Sequence, residues 1–359
     1  MGSDRKSARI GFIGAGWWAT SNHMPVLAQR RDAALAGVCR LGQQELRQVQ
    51  EAFDFPFATE DYRELLENCE LDGVVVASPH TLHYEHARAA LEKGLHVMCE
   101  KPMTTSAQEA RHLVRLARER GLQLLVPYGW HYKEFVQQAR SLVASGALGE
   151  LEYVLCHMAS PIKGLLSGEG MEVDNVSGQS GSSLFSPAPE TWADPQVAGG
   201  GYGYAQISHS AGMLFFLTGL RAESVYCLMS GPGARVEIYD ALAVRFEGGA
   251  IGTVSGAGSV PTDRSFQVDL RIFGSEGMLL LDCERARMEL HRHNGESVRA
   301  EVAPDGGAYE CSGPPNNFAD LILGTTEVNW APGEAAMRGV EMLDAAYRSA
   351  RSGVAEAVG

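Results

Sequence analysis

The first 126 positions alternate short apolar runs with amphipathic stretches. Ala8–Ile13 has the length and character of a strand, meets the glycines Gly14 and Gly16, and passes into a segment able to start a helix. Pro25 then bends that helix or sits in its first turns. Further strands are predicted over 34–39, 73–77, 96–99 and 122–126. Helices fall near 61–68, over the stretch with Ala87, Ala90 and Leu91 on one face, and from about 106 to 120. Gly73-Val74-Val75-Val76-Ala77 is apolar throughout, as a central parallel strand buried on both faces must be. This alternation predicts an α/β fold that opens with a doubly wound parallel sheet of Rossmann type.

Beyond Pro127–Tyr132, which reads as a crossing, the period changes. A helix near 134–145 precedes strand-like segments at 151–158, 224–228, 241–246, 251–255, 266–273, 278–282 and 288–293. Their alternation and the glycine turns at 247–249 and 274–277 predict a mostly antiparallel sheet, one face under helices and one open. Helices near 317–323 and 334–351 close the chain. The expected division is a dinucleotide-binding domain over 1–127 and an α+β substrate and oligomerisation domain over 128–359. Between 159 and 197 lies a stretch rich in Gly, Ser and Pro, too long for a mere connector, and such loops are functional or disordered.

Composition narrows the function. A chain of 359 residues suits about two domains. A net charge of -14 argues against nucleic acid or a membrane surface as partner. The seven cysteines are odd in number, scattered and without a C-x-x-C pair, which predicts reduced thiols in a cytoplasmic protein and no metal site. Met1–Lys6 lacks the apolar core of a signal peptide, and no run reaches membrane-spanning length.

The opening stretch carries the first chemistry. Gly14 permits a tight turn, Gly16 lets backbone approach a pyrophosphate, and small Ala19 lets the helix pack closely on the strand. The new helix offers unpaired N–H groups to that anion. Ile13, Trp17 and Trp18 flank the turn as candidate cofactor contacts. The second strand ends in Cys39-Arg40-Leu41, with no carboxylate for a ribose 2′-hydroxyl. Arg40 can pair with a 2′-phosphate, which favours NADP(H), with NAD(H) as the alternative if Arg40 stacks on adenine or faces water. Ser78-Pro79-His80-Thr81-Leu82-His83, at the carboxyl end of the central strand, should face the cofactor. Glu100-Lys101-Pro102 ends the next strand. There a lysine can be aimed across the crevice to polarise a substrate oxygen, although the tripeptide alone would also suit a surface ion pair.

Taken in order, Gly14-Ala15-Gly16, Ser78–His83 and Gly94-Leu95-His96-Val97-Met98-Cys99-Glu100-Lys101-Pro102 resemble the glucose-fructose oxidoreductase, inositol dehydrogenase and rhizopine-catabolism (Gfo/Idh/MocA) family. The resemblance covers almost the whole chain. It implies a nicotinamide-dependent oxidoreductase acting on sugars, cyclitols or related polyols, and a homo-oligomer, dimer or tetramer, joined through the open sheet face. By the same resemblance Lys101 is the catalytic lysine, and Ser78, Pro79, His83 and Glu100 line the nicotinamide side. His209, following Gly199-Gly200-Gly201, matches the histidine that joins the lysine in catalysis. On its own it would read as a core histidine.

The family usually carries an aspartate four residues before that histidine, and this chain has Ala205. Gln206 can still hydrogen-bond a hydroxyl but cannot take a proton, so the proton route rests on Lys101 and His209, or on Tyr132, His131 or water. Trp192, Tyr202 and Tyr204 could stack on a sugar ring or merely anchor the loop. Tyr132, Trp192, Tyr204 and Gln206 are thus the candidate substrate contacts. Two rivals stand beside the dehydrogenase: a glycoside hydrolase that retains NAD and works by oxidation and elimination, and a non-catalytic sensor of sugar or dinucleotide, which Ala205 favours.

Overall fold

The computed structural model describes residues 7–170, 183–264 and 266–359. Met1–Lys6 and 171–182, part of the glycine-rich stretch, lie outside the described residues.

The first sheet contains β1 (Ala8–Ile13), β2 (Ala33–Cys39), β3 (Ala58–Thr59), β4 (Gly73–Val76), β5 (His96–Cys99) and β6 (Leu124–Leu125). Its order is β3-β2-β1-β4-β5-β6, parallel throughout. β4 is buried at every position, as its unbroken apolar run requires. Helices 43–53, 62–68, 83–92 and 107–119 link the strands. Asp61 caps the second of these by accepting from the Arg63 N–H at 2.9 Å. After β1 an unbroken helical run from Trp17 passes through a π-helical turn at Ala19–His23 into Met24–Ala28, with Pro25 directly after that turn.

The strand order reverses between β1 and β4, which opens a crevice at their carboxyl ends. Gly14 turns there at φ +90°, and a Cβ on it would lie 2.4 Å from Ala77 C and Ser78 N. Only glycine fits that approach.

The second sheet orders nine strands as β14-β13-β12-β11-β7-β10-β9-β8-β15 among the described residues. They are β7 (Leu151–Ala159), β8 (Ala222–Ser230), β9 (Tyr239–Phe246), β10 (Ile251–Ala257), β11 (Gln267–Gly274), β12 (Gly277–Asp282), β13 (Arg287–Arg292), β14 (Ser297–Arg299) and β15 (Glu356–Ala357). All pairs are antiparallel except β7 with β10. Helices 134–144, 208–218 and 333–352 cover one face. Helix 208–218 is buried on nearly every side, which suits its apolar sequence. The opposite face presents Tyr226, Leu228 and Ile251 to the surface.

The late part of the chain returns to the first core. Helix 313–323 lays Ile322 and Phe318 against Gly73, where a Cβ would lie 2.7 and 2.9 Å from them. The Val126 N–H donates to the Ala331 carbonyl at 2.9 Å. Two cores thus share one wall, and the crevice opens along it.

Candidate active site

The carboxyl ends of β1, β4 and β5 face the second half of the chain across a cavity of about 1190 Å³. The glycine turn contributes Ile13, Gly14, Gly16, Trp17 and Trp18; the end of β2 contributes Cys39 and Arg40. The turn after β4 adds Ser78, Pro79, His80 and His83, and β5 delivers Glu100 and Lys101. From the far side come Trp192, Gln206 and His209. Residues separated by up to two hundred positions therefore share one wall.

Lys101 is buried, and its ammonium donates to the Ala205 carbonyl oxygen at 2.8 Å. Burial pulls its pKa down to about 8, against the upward pull of Glu100. The Nζ atom also lies 5.2 Å from the centre of the Trp192 ring. Burial alone would raise the Glu100 carboxyl, but the His23 hydrogen bond at 2.7 Å and the Lys101 charge hold it below its ordinary value. The other Glu100 oxygen accepts from the Lys101 N–H at 3.1 Å, which fixes the strand end.

His83 sits between the carbonyls of Ser78 and Pro102, each 2.7 Å from a ring nitrogen, and ties the two strand ends together. His80 Nδ1 lies 3.1 Å from the Ala198 carbonyl and its ring packs edge-on to Trp192 at 5.6 Å. This contact draws the short helix Glu190–Ala193 over the crevice.

His209 begins the buried helix after a π-helical turn, Gly203–Ile207. Glu237 secures the approach to that turn by accepting from the Gly201 and Gly203 N–H groups at 2.8 and 3.1 Å, and from the Tyr347 hydroxyl. Tyr128, Trp130 and Tyr309 surround the imidazole edge-on at 5.9, 5.8 and 5.3 Å. Burial, then the Lys101 charge, pushes His209 far below the usual histidine range, so the ring is neutral. Its Nδ1 is enclosed without a partner, and the residue lines the cavity.

The other expected contacts lie elsewhere. Tyr132 donates to Asn317 Oδ1 at 3.0 Å, and Tyr204 donates to the Thr105 carbonyl at 2.9 Å and stacks on Tyr347; neither lines the cavity. Tyr202 is spent on Ser160 and the Met158 carbonyl within the second core. His131 stacks on Phe216 and bonds the Trp330 carbonyl at 3.1 Å, away from the crevice. Conversely, Trp130, Phe185 and Tyr309 line the cavity from segments whose sequence carries no periodic signal, and Phe266 from the edge of β11.

A dinucleotide fits these residues. A Cβ on Gly16 would meet nothing within 4 Å, so the backbone there is bare toward open space. Trp17 Nε1, Arg40 Nε and Gln206 Oε1, all on lining residues, are buried without a partner, so the cavity wall holds unspent hydrogen-bonding capacity. Arg40 donates from Nη1 to the Ala15 carbonyl at 2.6 Å and lies 4.1 Å over the Phe185 ring.

A glycine turn at a parallel-sheet switch point thus faces a lysine and a histidine from separate cores, on a fold of the dinucleotide-binding type. The chain matches the model of the oxidoreductase family with NAD-binding Rossmann fold over 8–128 and that of the GFO/IDH/MocA C-terminal domain over 136–280. It belongs to the Gfo/Idh/MocA family. It is 34% identical over 143 residues to D-glucoside 3-dehydrogenase of Escherichia coli (strain K12), covering 40% of this chain and 41% of that one. It is also 34% identical over 149 residues to glucose-6-phosphate 3-dehydrogenase of Bacillus subtilis (strain 168), covering 42% and 41%. The chain thus matches about two fifths of the length of these curated relatives. Two solved structures share the whole fold: levoglucosan dehydrogenase in complex with NADH, at TM-score 0.77 and 17% identity over 99% of this chain and 100% of that one; and an oxidoreductase domain protein from Kribbella flavida, at 0.79 and 21% over 99% and 100%.

Proposed function

We propose that the protein is an NAD(P)-dependent dehydrogenase or reductase that passes hydride between nicotinamide and a secondary alcohol or ketone of a sugar, glycoside or cyclitol. The observation that carries this reading is the Lys101 ammonium, held at 2.8 Å by the Ala205 carbonyl in the cavity that also holds the glycine turn and His209. The bound nicotinamide supplies the hydride acceptor or donor. Ser78, Pro79, His83 and Glu100 would line its place, while Ile13, Gly14, Gly16, Trp17, Trp18, Cys39, Arg40 and His80 would hold the dinucleotide. The Lys101 ammonium donates to the substrate oxygen and favours its developing negative charge. Neutral His209 takes the hydroxyl proton at Nε2 during oxidation and returns it during reduction. Trp192 and Gln206 contact the sugar. The D-glucoside, glucose-6-phosphate and levoglucosan dehydrogenases named above are in line with this reading.

NADP(H) is the favoured cofactor. Arg40 is held flat by Phe185 and the Ala15 carbonyl, which leaves Nη2 for a 2′-phosphate. The nearby Glu60 carboxylate is engaged by the Gly42 N–H at 2.7 Å. All seven cysteines are free thiols, which suits the reducing cytoplasm. No helix among the described residues is long and apolar enough to cross a membrane. The open sheet face, with Tyr226, Leu228 and Ile251 exposed, is the surface for a homo-oligomer, dimer or tetramer.

The test is turnover of a polyol and glycoside panel with NADP and with NAD, followed by the absorbance of reduced nicotinamide, beside Lys101→Ala. Turnover lost in the variant is expected. Full activity in the variant would remove the mechanism.

A further inference from the structure

The two ends of the cavity differ in the charged residues they carry. The adenosine end, beside and beyond β2, holds Arg40, Arg47 and Arg63 together with Glu60, Asp61 and Glu64. Across the crevice, no lining residue contributed by the second half of the chain is Asp, Glu, Lys or Arg among the described residues. Trp130, Ile162, Leu165, Trp192, Phe266 and Tyr309 make this an apolar and aromatic wall. Ser186, Thr191, Gln206 and neutral His209 are its polar points.

The sequence extends the contrast. Among the described residues from 164 to 220, the span that supplies most of this wall, there is no lysine or arginine, while Glu169, Glu190 and Asp194 fall within it. The one ammonium within reach is Lys101, committed to Ala205 and to the reacting oxygen. A phosphate or carboxylate bound here would be desolvated with no cation to answer it. The net charge of -14 adds long-range repulsion.

We propose that the substrate is an uncharged pyranoside bearing an apolar aglycone, and that sugar phosphates, nucleotide sugars and uronates are excluded. This rests on the oxidoreductase reading above and narrows it. The flat Trp192 ring takes the C–H face of the sugar beside Lys101, while Ile162, Leu165 and Phe266 take the aglycone. At about 1190 Å³ the cavity exceeds the roughly 300–1,000 Å³ of a one-ligand pocket, so it holds a substrate of this size beside the dinucleotide.

The test uses the unmodified full-length protein saturated with NADP. Binding of methyl β-glucoside, 4-nitrophenyl β-glucoside, glucose 6-phosphate and UDP-glucose is followed by calorimetry, with turnover measured in parallel. The aryl glucoside is expected to bind at least tenfold tighter than the methyl glucoside, and both anionic sugars at least a hundredfold weaker than the aryl glucoside. Anionic sugars that bind as well as the neutral ones, an aglycone without effect, or no binding by any neutral glycoside would each overturn the proposal. The two readings separate cleanly. Neutral glycosides bound in this order without turnover support the substrate class and sink the oxidoreductase; turnover of glucose 6-phosphate does the reverse.

Discussion

The Lys101 ammonium donates to the carbonyl of Ala205, 104 positions later in the chain and on the far side of the crevice. The bond joins the end of β5 to the π-helical turn that precedes His209. A lysine held this way is oriented before any ligand arrives, so little reorganisation is needed when the substrate oxygen takes up the same ammonium. Replacing Lys101 by Met keeps most of the buried stem and removes the charge. We expect kcat/KM to fall by about 10³-fold, within the span of a lost proton-handling group, while the dinucleotide dissociation constant moves less than about threefold. Steady-state kinetics and cofactor titration measure both, and comparable losses in each would show that Lys101 merely supports the cofactor site.

The same burial sets a pH limit. With its pKa brought to about 8, Lys101 is an ammonium below that pH and a neutral amine above it. Oxidation of the hydroxyl needs the ammonium beside a neutral His209, so kcat/KM in that direction should be level near pH 7 and fall tenfold per unit beyond pH 8. The limb should be absent from Lys101→Met. Stability follows the same sign. The folded pKa lies below the ordinary lysine value of 10.5, so between the two the unfolded chain binds more protons and stability rises with pH. The stability difference between the Met variant and the parent should therefore change with pH between about 8 and 10.5, in the parent's favour. Urea midpoints across that range decide it.

Arg40 and Phe185 make the second pairing that can be tested. The guanidinium lies 4.1 Å over the Phe185 ring, so a segment from the second half of the chain fixes a side chain of the first. If Arg40 answers a 2′-phosphate, Arg40→Ala removes charge-assisted hydrogen bonds of about 1.5–3 kcal/mol. The ratio of kcat/KM for NADP to that for NAD should drop about 10- to 100-fold. Phe185→Ala should shift the ratio the same way but less, because the bond to the Ala15 carbonyl remains. A ratio unmoved by Arg40→Ala would return the preference to NAD.

Much of this arrangement is legible in the chain, and the limits have physical causes. The β4 run and the helices around it declare a parallel sheet because burial on both faces leaves no polar position. Strands β3 and β15 have two residues each and β14 has three, too few to show a period. Lys101 stands out because a strand ends there in a proline. His209 stands out only through the glycines and the family resemblance. Tyr204 and Gln206 are two positions apart, yet the helical turn sends Tyr204 to Thr105 and Tyr347 while Gln206 lines the cavity. Tyr132, two positions after Trp130, is turned to Asn317 in the same way. Trp130, Phe185 and Tyr309 arrive from three loops, and nothing local in any of them announces the meeting.

Gly14 and Gly16 lie two residues apart and should fail differently. Gly14 holds φ +90° with its missing Cβ 2.4 Å from backbone atoms of Ala77 and Ser78, so a methyl group there can be accommodated only by parting β1 from β4. Gly14→Ala should cost at least about 2 kcal/mol of stability, from backbone strain and displaced packing together. At Gly16 a Cβ meets nothing within 4 Å, so Gly16→Ala should leave the urea midpoint within about 0.5 kcal/mol of the parent. Its methyl would instead stand where the pyrophosphate approaches the backbone, and KM for the dinucleotide should rise at least about tenfold. Chemical denaturation and cofactor kinetics on the two variants separate the roles. A Gly16→Ala protein that binds the dinucleotide normally would place the pyrophosphate elsewhere in the cavity, and with it the alignment of nicotinamide against Lys101.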